Sequence, residues 1–258
     1  MDKIYPYKKN EELNKFTLIN EEDDSELCQD ETDTPRKEIK KIEHPNPELE
    51  KKIIKIIDAL VEKYLENREY INSKVNNWIQ ALLNDLNEAL TNEKDYKFIS
   101  SCFIIKRPLH YCYSSMNRKN LEKDGIIRKQ YKYETFICSI SVGYFSLNEK
   151  TKEITNLNSI QNNILAETEN IKSNILEGRE YNPKTNSKYK DYILLDIRKY
   201  IHNKISNVRS YNLCFIIKKG CEFGFNYKVI NAGSGKIIID SKNQFNNIII
   251  NTLSFIFN

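Results

Sequence analysis

Cys102-Phe103-Ile104-Ile105-Lys106-Arg107 and Cys214-Phe215-Ile216-Ile217-Lys218-Lys219 are nearly the same hexapeptide, met twice in one chain. Each copy follows two stretches of helical periodicity and opens a run rich in Ile, Phe, Tyr and Cys. Downstream, Gly125-Ile126-Ile127 is answered by Lys236-Ile237-Ile238 at nearly the same step along the chain as that from Cys102 to Cys214, and 136–147 by 247–257. Chance supplies a short match in a chain this rich in Ile and Lys, but it does not also keep the order of elements. The pattern reads as an internal duplication.

Working back from the first copy, Asn46-Pro47-Glu48 is a helix start: Asn as N-cap, Pro at the first helical position, an acid against the dipole. Ile53, Ile56, Ile57, Leu60, Val61, Tyr64 and Leu65 follow at three- and four-residue steps. After the polar break Asn72-Ser73, the pattern resumes through Val75, Trp78, Ile79, Leu82, Leu83, Leu86 and Leu90. From Tyr96 the grammar changes to strands, expected at 97–107, 111–117, 125–133 and 136–147. The run 98–105 does not alternate cleanly, which implies a strand covered on both faces. In the second half Leu157, Ile160, Ile164, Ile171 and Ile175 mark a weaker helix. After a polar loop holding Pro183, Ile193, Leu194, Ile197, Tyr200, Ile201, Ile205 and Val208 mark a stronger one, and strands return at Tyr211.

The expected organisation is a charged, disordered tail over 1–45, a first domain over 46–148 and a second, more divergent one over 149–258. The tail holds an acidic run, Glu21-Glu22-Asp23-Asp24-Ser25-Glu26, and few apolar residues to offset its ordering entropy. The fold class is α+β, with two tandem units of two helices and four strands.

The net charge of +4, from 40 basic and 36 acidic residues, gives no strong field toward nucleic acid or an anionic membrane. No apolar run approaches the ~20 residues of a membrane span, and 1–7 shows no secretory leader pattern. Cys28, Cys102, Cys112, Cys138, Cys214 and Cys221 form no CxxC pair and are expected as reduced thiols in the cytosol.

Catalytic constellations are not found. His44, His110 and His202 lack the carboxylate or Cys spacing of a metal cage, so no metal or cofactor is expected. Gly233-Ser234-Gly235-Lys236 ends like a phosphate-binding loop, but Ile230 and Ile237 stand where that loop needs Gly and Ser or Thr. It reads as a connection between strands. Arg118, Lys119, Arg128, Lys129 and Lys132, interleaved with tyrosines, read as the solvated face of an edge strand rather than a phosphate site.

The helix with its early Trp78, the strand Tyr96-Lys97-Phe98-Ile99-Ser100-Ser101-Cys102-Phe103-Ile104-Ile105, the segment Leu109-His110-Tyr111-Cys112-Tyr113-Ser114-Ser115 and the closing run from Phe136 to Leu147 resemble the Tctex-type dynein light chains. The resemblance holds over 71–147 and weakens in the second half, where no Trp stands in the helix. It implies a non-catalytic adaptor. The family fold is a dimer that exchanges one strand between subunits and binds the dynein intermediate chain and cargo peptides as added strands, beside other dynein light chains in the complex. Here the second repeat would take the partner's place, giving a monomeric pseudo-dimer. The implied location is cytoplasmic and cytoskeletal, including cilia or flagella. The implied peptide-binding edges are the second strand of each repeat: Tyr111, Tyr113, Ser115 and Asn117 in the first, Phe223, Phe225, Tyr227 and Val229 in the second. The alternative is a cytoskeletal or axonemal spacer without peptide binding, its groove filled by bulky residues such as Phe223 and Phe225.

Overall fold

The computed structural model describes residues 46–107, 111–118, 123–147, 157–205, 208–230 and 236–257, with side chains of 112–118 excepted. The tail 1–45, His44, His110 and the loop 231–235 lie outside the described residues. The elements are α1 (Pro47–Leu65), α2 (Asn72–Leu90), β1 (Tyr96–Lys106), β2 (Tyr111–Arg118), β3 (Gly125–Lys132) and β4 (Phe136–Ser146). The same order then repeats as α3 (Leu157–Leu176), α4 (Pro183–Lys204), β5 (Arg209–Lys218), β6 (Phe223–Ile230), β7 (Ile237–Phe245) and β8 (Ile248–Phe257).

Local chemistry explains the helix boundaries. Asn46 Oδ1 accepts from Leu49 N at 3.0 Å, ahead of Pro47. Asn182 does the same for Lys184 N and Thr185 N, ahead of Pro183. The stretch expected as a polar loop around Pro183 is therefore the first turn of α4. Its Asn-Pro pair is the same start signal as Asn46-Pro47, followed by polar rather than apolar residues.

The strands form two four-stranded antiparallel sheets, ordered β3-β4-β1-β6 and β2-β5-β8-β7. β2 thus leaves the sheet of its sequence neighbours to pair with β5, and β6 crosses to pair with β1. The crossings match: Tyr111 faces Ile217 and Phe223 faces Ile105, so the step from Tyr111 to Phe223 equals that from Ile105 to Ile217, and both equal the step between the two hexapeptides. The other registers keep the same displacement, with Ile104 opposite Cys138 and Ile216 opposite Ile250, and Gly125 opposite Tyr144 and Ile237 opposite Ile256.

Packing follows from alternation along each strand. Phe98, Cys102 and Ile104 of β1 turn to α1 and α2, whereas Ile99, Phe103 and Ile105 turn to the other sheet. β1 is buried on both faces from Lys97 to Ile105, as its unclean alternation implied. Phe103 and Phe215 stack across the two sheets at 4.6 Å, and the Ser141 and Tyr211 hydroxyls bond across them at 2.6 Å. A third core lies between the second sheet and α3 and α4.

That third core is the more polar one. In the helices Ile164 stands where Ile53 does, one position short of the strand register, and at that step Thr168, Lys172, Asn186 and Lys190, all buried, stand in the places of Ile57, Val61, Val75 and Ile79. Lys172 Nζ donates to Ser241 Oγ at 2.6 Å and Ser241 O at 3.1 Å, while the Asn186 side-chain amide has no hydrogen-bond partner among the described residues. This polarity is why α3 carries a weak apolar pattern in sequence.

Candidate functional site

β6 ends the first sheet and β2 ends the second, each hydrogen-bonded to a neighbour on one side. In an antiparallel ladder, alternate residues turn their N–H and C=O to the partner strand and the rest turn them away. Lys106 N donates to Glu222 O at 3.0 Å, which makes Lys106–Glu222 a bonded pair. Gly224, Asn226, Lys228 and Ile230 therefore bond β1, and the main-chain groups of Phe223, Phe225, Tyr227 and Val229 point outward. On β5, Lys219 N donates to Asn247 O of the hairpin to β8, so alternate β5 residues serve β8 and the others β2. By the register, main-chain groups of Tyr111, Tyr113, Ser115 and Asn117 point outward from β2.

The side chains have a separate placement. Phe223, Phe225, Tyr227 and Val229 turn inward, half-buried, into the layer between the sheets. Phe223 lies 6.0 Å from Phe103, and Phe225 lies 4.9 Å from Phe215. Both rings thus pack in the core between the sheets. Tyr111 is buried against Phe103 at 5.3 Å, and its hydroxyl accepts from Gln130 Nε2 at 3.2 Å. The side chains of Tyr113, Ser115 and Asn117 lie outside the described residues.

Four further residues shape the β6 edge, and sequence reasoning passed over them. Asn226 Oδ1 accepts from Tyr227 N at 2.8 Å and so occupies one outward donor. On β7, which ends the second sheet beside β6, Ile238, Asp240 and Lys242 share the inward face, for Ile238 packs in the inter-sheet core and Lys242 Nζ stands 5.3 Å from the Phe223 ring. Asp240 stays open to solvent, yet the protein crowding one side of it raises its carboxyl above the usual value, with Lys172 and Lys242 pulling the other way. Burial, and then Asp240, raise the Tyr227 phenol. The alternation Ile238-Asp240-Lys242 was the available signal, but nothing in it names β6 as the neighbour.

α2 closes the outer side of β6. A Cβ at Gly224 would lie 2.5 Å from Val75 Cγ1 and 2.8 Å from Asn76 Oδ1, so the close approach of helix and strand requires glycine. One basic residue of β3 pairs with α1: Lys129 Nζ bonds Asp58 Oδ1 at 2.6 Å, beside Tyr131, which bonds the same oxygen. Those two bonds hold the Asp58 carboxyl below its ordinary value despite burial, the largest single influence, which pushes it up. Among the described residues no group of three or more His, Cys, Asp or Glu is placed to hold a metal ion, and no helix is long and apolar enough to cross a membrane.

Residues 48–145, from the second residue of α1 to the penultimate residue of β4, match the model of the Tctex-1 family. Comparison with curated proteins gives no match. The matched segment is the first run of two helices and four antiparallel strands.

Proposed function

We propose that the chain is a tandem duplication, with units over 46–148 and 149–258, that folds as an intramolecular pseudo-dimer. In this reading it acts as a dynein light-chain-like adaptor, taking extended peptides of the dynein intermediate chain or of cargo as added strands along β6 and β2. Catalysis has no part in it. The observation that carries the reading is the equivalence of the two exchanged strands: each ends a sheet, each is paired in the same register, and each turns the main chain of alternate residues outward. An exposed edge of this kind offers backbone hydrogen bonds for affinity and alternate side chains for specificity. The family match over 48–145 supports the link to dynein and with it a cytoskeletal location, which in this reading is ciliary or cytoplasmic.

One observation favours the alternative of a structural spacer: Asn226 already occupies the Tyr227 N–H. Affinity purification of the full chain from a dynein-containing extract, followed by calorimetry with intermediate-chain peptides, decides between them. Co-elution of intermediate chains with saturable peptide binding supports the adaptor. Intact, folded protein that retains neither intermediate chain nor peptide overturns it.

A further inference from the structure

The two candidate edges lie beside unlike neighbours. β6 runs next to β7 and β2 next to β3, as the contacts of Phe223 with Lys242 and of Tyr111 with Gln130 record. The common register makes Ile126 the counterpart of Ile238, Arg128 of Asp240 and Gln130 of Lys242, each pair separated by the same step as Gly125 and Ile237. The same point in the two grooves therefore carries a carboxylate in one and a guanidinium in the other.

Beside β6 the charges are available to a ligand. Asp240 and Lys242 are exposed, and neither makes an ion pair or side-chain hydrogen bond with a described residue; Lys242 rests against the Phe223 ring. They stand two residues apart on one face of β7, which spaces them roughly 7 Å along the strand. A peptide added to β6 would lie about 4.8 Å further out and direct every second side chain into this same layer. Its inward residues, also spaced roughly 7 Å, would come down beside Asp240 and Lys242 in turn.

Resting on the strand-addition reading above, we infer that the β6 groove selects extended peptides with a basic and an acidic side chain two residues apart on one face, the basic one met by Asp240 and the acidic one by Lys242. The β2 groove has Arg128 in the place of Asp240 and so offers no carboxylate at that point. The charges set choice of peptide, and the outward main chain of Phe223, Phe225, Tyr227 and Val229 supplies the shared affinity.

Random dodecapeptides displayed on phage, panned against the immobilised full-length chain, supply the probes. Enriched peptides are then synthesised and titrated against the parent chain, Asp240→Lys, and the double variant Asp240→Lys with Lys242→Glu. The enriched pool is expected to contain Lys/Arg and Asp/Glu two residues apart. Those peptides should bind Asp240→Lys at least about tenfold more weakly, and versions with the two charges exchanged should regain binding on the double variant. Both substitutions are at exposed positions, and unchanged melting temperatures verify that the fold is kept. If peptides enrich but none shows the paired charges with a response to the swap, the charge inference fails while strand addition stands. If no peptide enriches, strand addition fails and the inference with it.

Discussion

Arg209 Nη1 lies 3.1 Å from Asp124 Oδ1, and the pair is buried, with Asp124 inaccessible and Arg209 only 9% exposed. Asp124 Oδ1 also accepts from Ser146 N at 3.0 Å, and Arg209 donates to Ser146 O at 2.9 Å. Arg209 opens β5 and Asp124 immediately precedes β3, so the pair joins the two halves of the chain. It exists on one side only. The register counterpart of Arg209 is Lys97 and that of Asp124 is Lys236, and the Lys97 ammonium is held below its usual value by burial and then by Arg209.

Asp124→Asn should therefore cost about 3 kcal/mol or more, because it leaves Arg209 buried without its counter-charge and close enough to Lys97 to repel it. Urea unfolding reads the loss. A cost under about 1 kcal/mol would show that Ser146 O and solvent suffice for the guanidinium.

Gly224→Ala should destabilise by about 1–3 kcal/mol, since its new methyl must displace Val75, Asn76 and Ile79 of α2. Thermal unfolding measures it. Unchanged stability would mean that α2 does not hold β6 at the observed distance.

Lys172 gives a pH signature. Burial lowers its ammonium from 10.5 to about 8, so the folded protein sheds this proton before the unfolded chain does. Its unfavourable contribution is full below pH 8 and is relieved as pH rises toward 10.5, by roughly 3 kcal/mol at most. Above pH 10 buried tyrosines act in the other sense: Tyr70, pushed up to about 12 by burial, favours the folded state below pH 10 and loses that contribution as pH climbs to 12. The window from 8 to 10 is thus the informative one. Stability of the parent relative to Lys172→Met should rise across it, and parallel stability curves would contradict the buried, depressed lysine.

Asn226→Ala should free the Tyr227 N–H for an incoming strand and, on the adaptor reading, tighten peptide binding by about threefold to tenfold, the worth of one neutral hydrogen bond. Peptide titration by calorimetry tests this. Weaker binding would make Asn226 a ligand contact rather than a cap.

If the crossings of β2 and β6 close within one chain, the full-length protein should scatter light as a 30.5 kDa monomer. Residues 46–148 expressed alone should dimerise, because β2 then has no β5 to pair with and β1 has no β6. A monomeric fragment, or a full-length chain of twice that mass, would argue against the pseudo-dimer.

The sequence by itself determined the element types and the step that relates the two halves of the strand pattern. Apolar steps of three and four residues marked α1, α2 and the later part of α4, and the step from Cys102 to Cys214 between the paired hexapeptides is the one that every strand register keeps. Periodicity reports which residues share a face, because that is set by the local geometry of helix and strand. It is silent on which surface the face will meet. An exchanged strand is implied by the family resemblance and not by periodicity; tertiary structure decided its register, β2 against β5 and β6 against β1, and placed Phe223, Phe225 and Tyr227 in the inter-sheet core. It also decided that Asp240 and Lys242, which follow β6 in the chain, stand beside it in the other sheet. These are non-local contacts, selected by the packing of two sheets against each other, and no short window along the chain contains both partners.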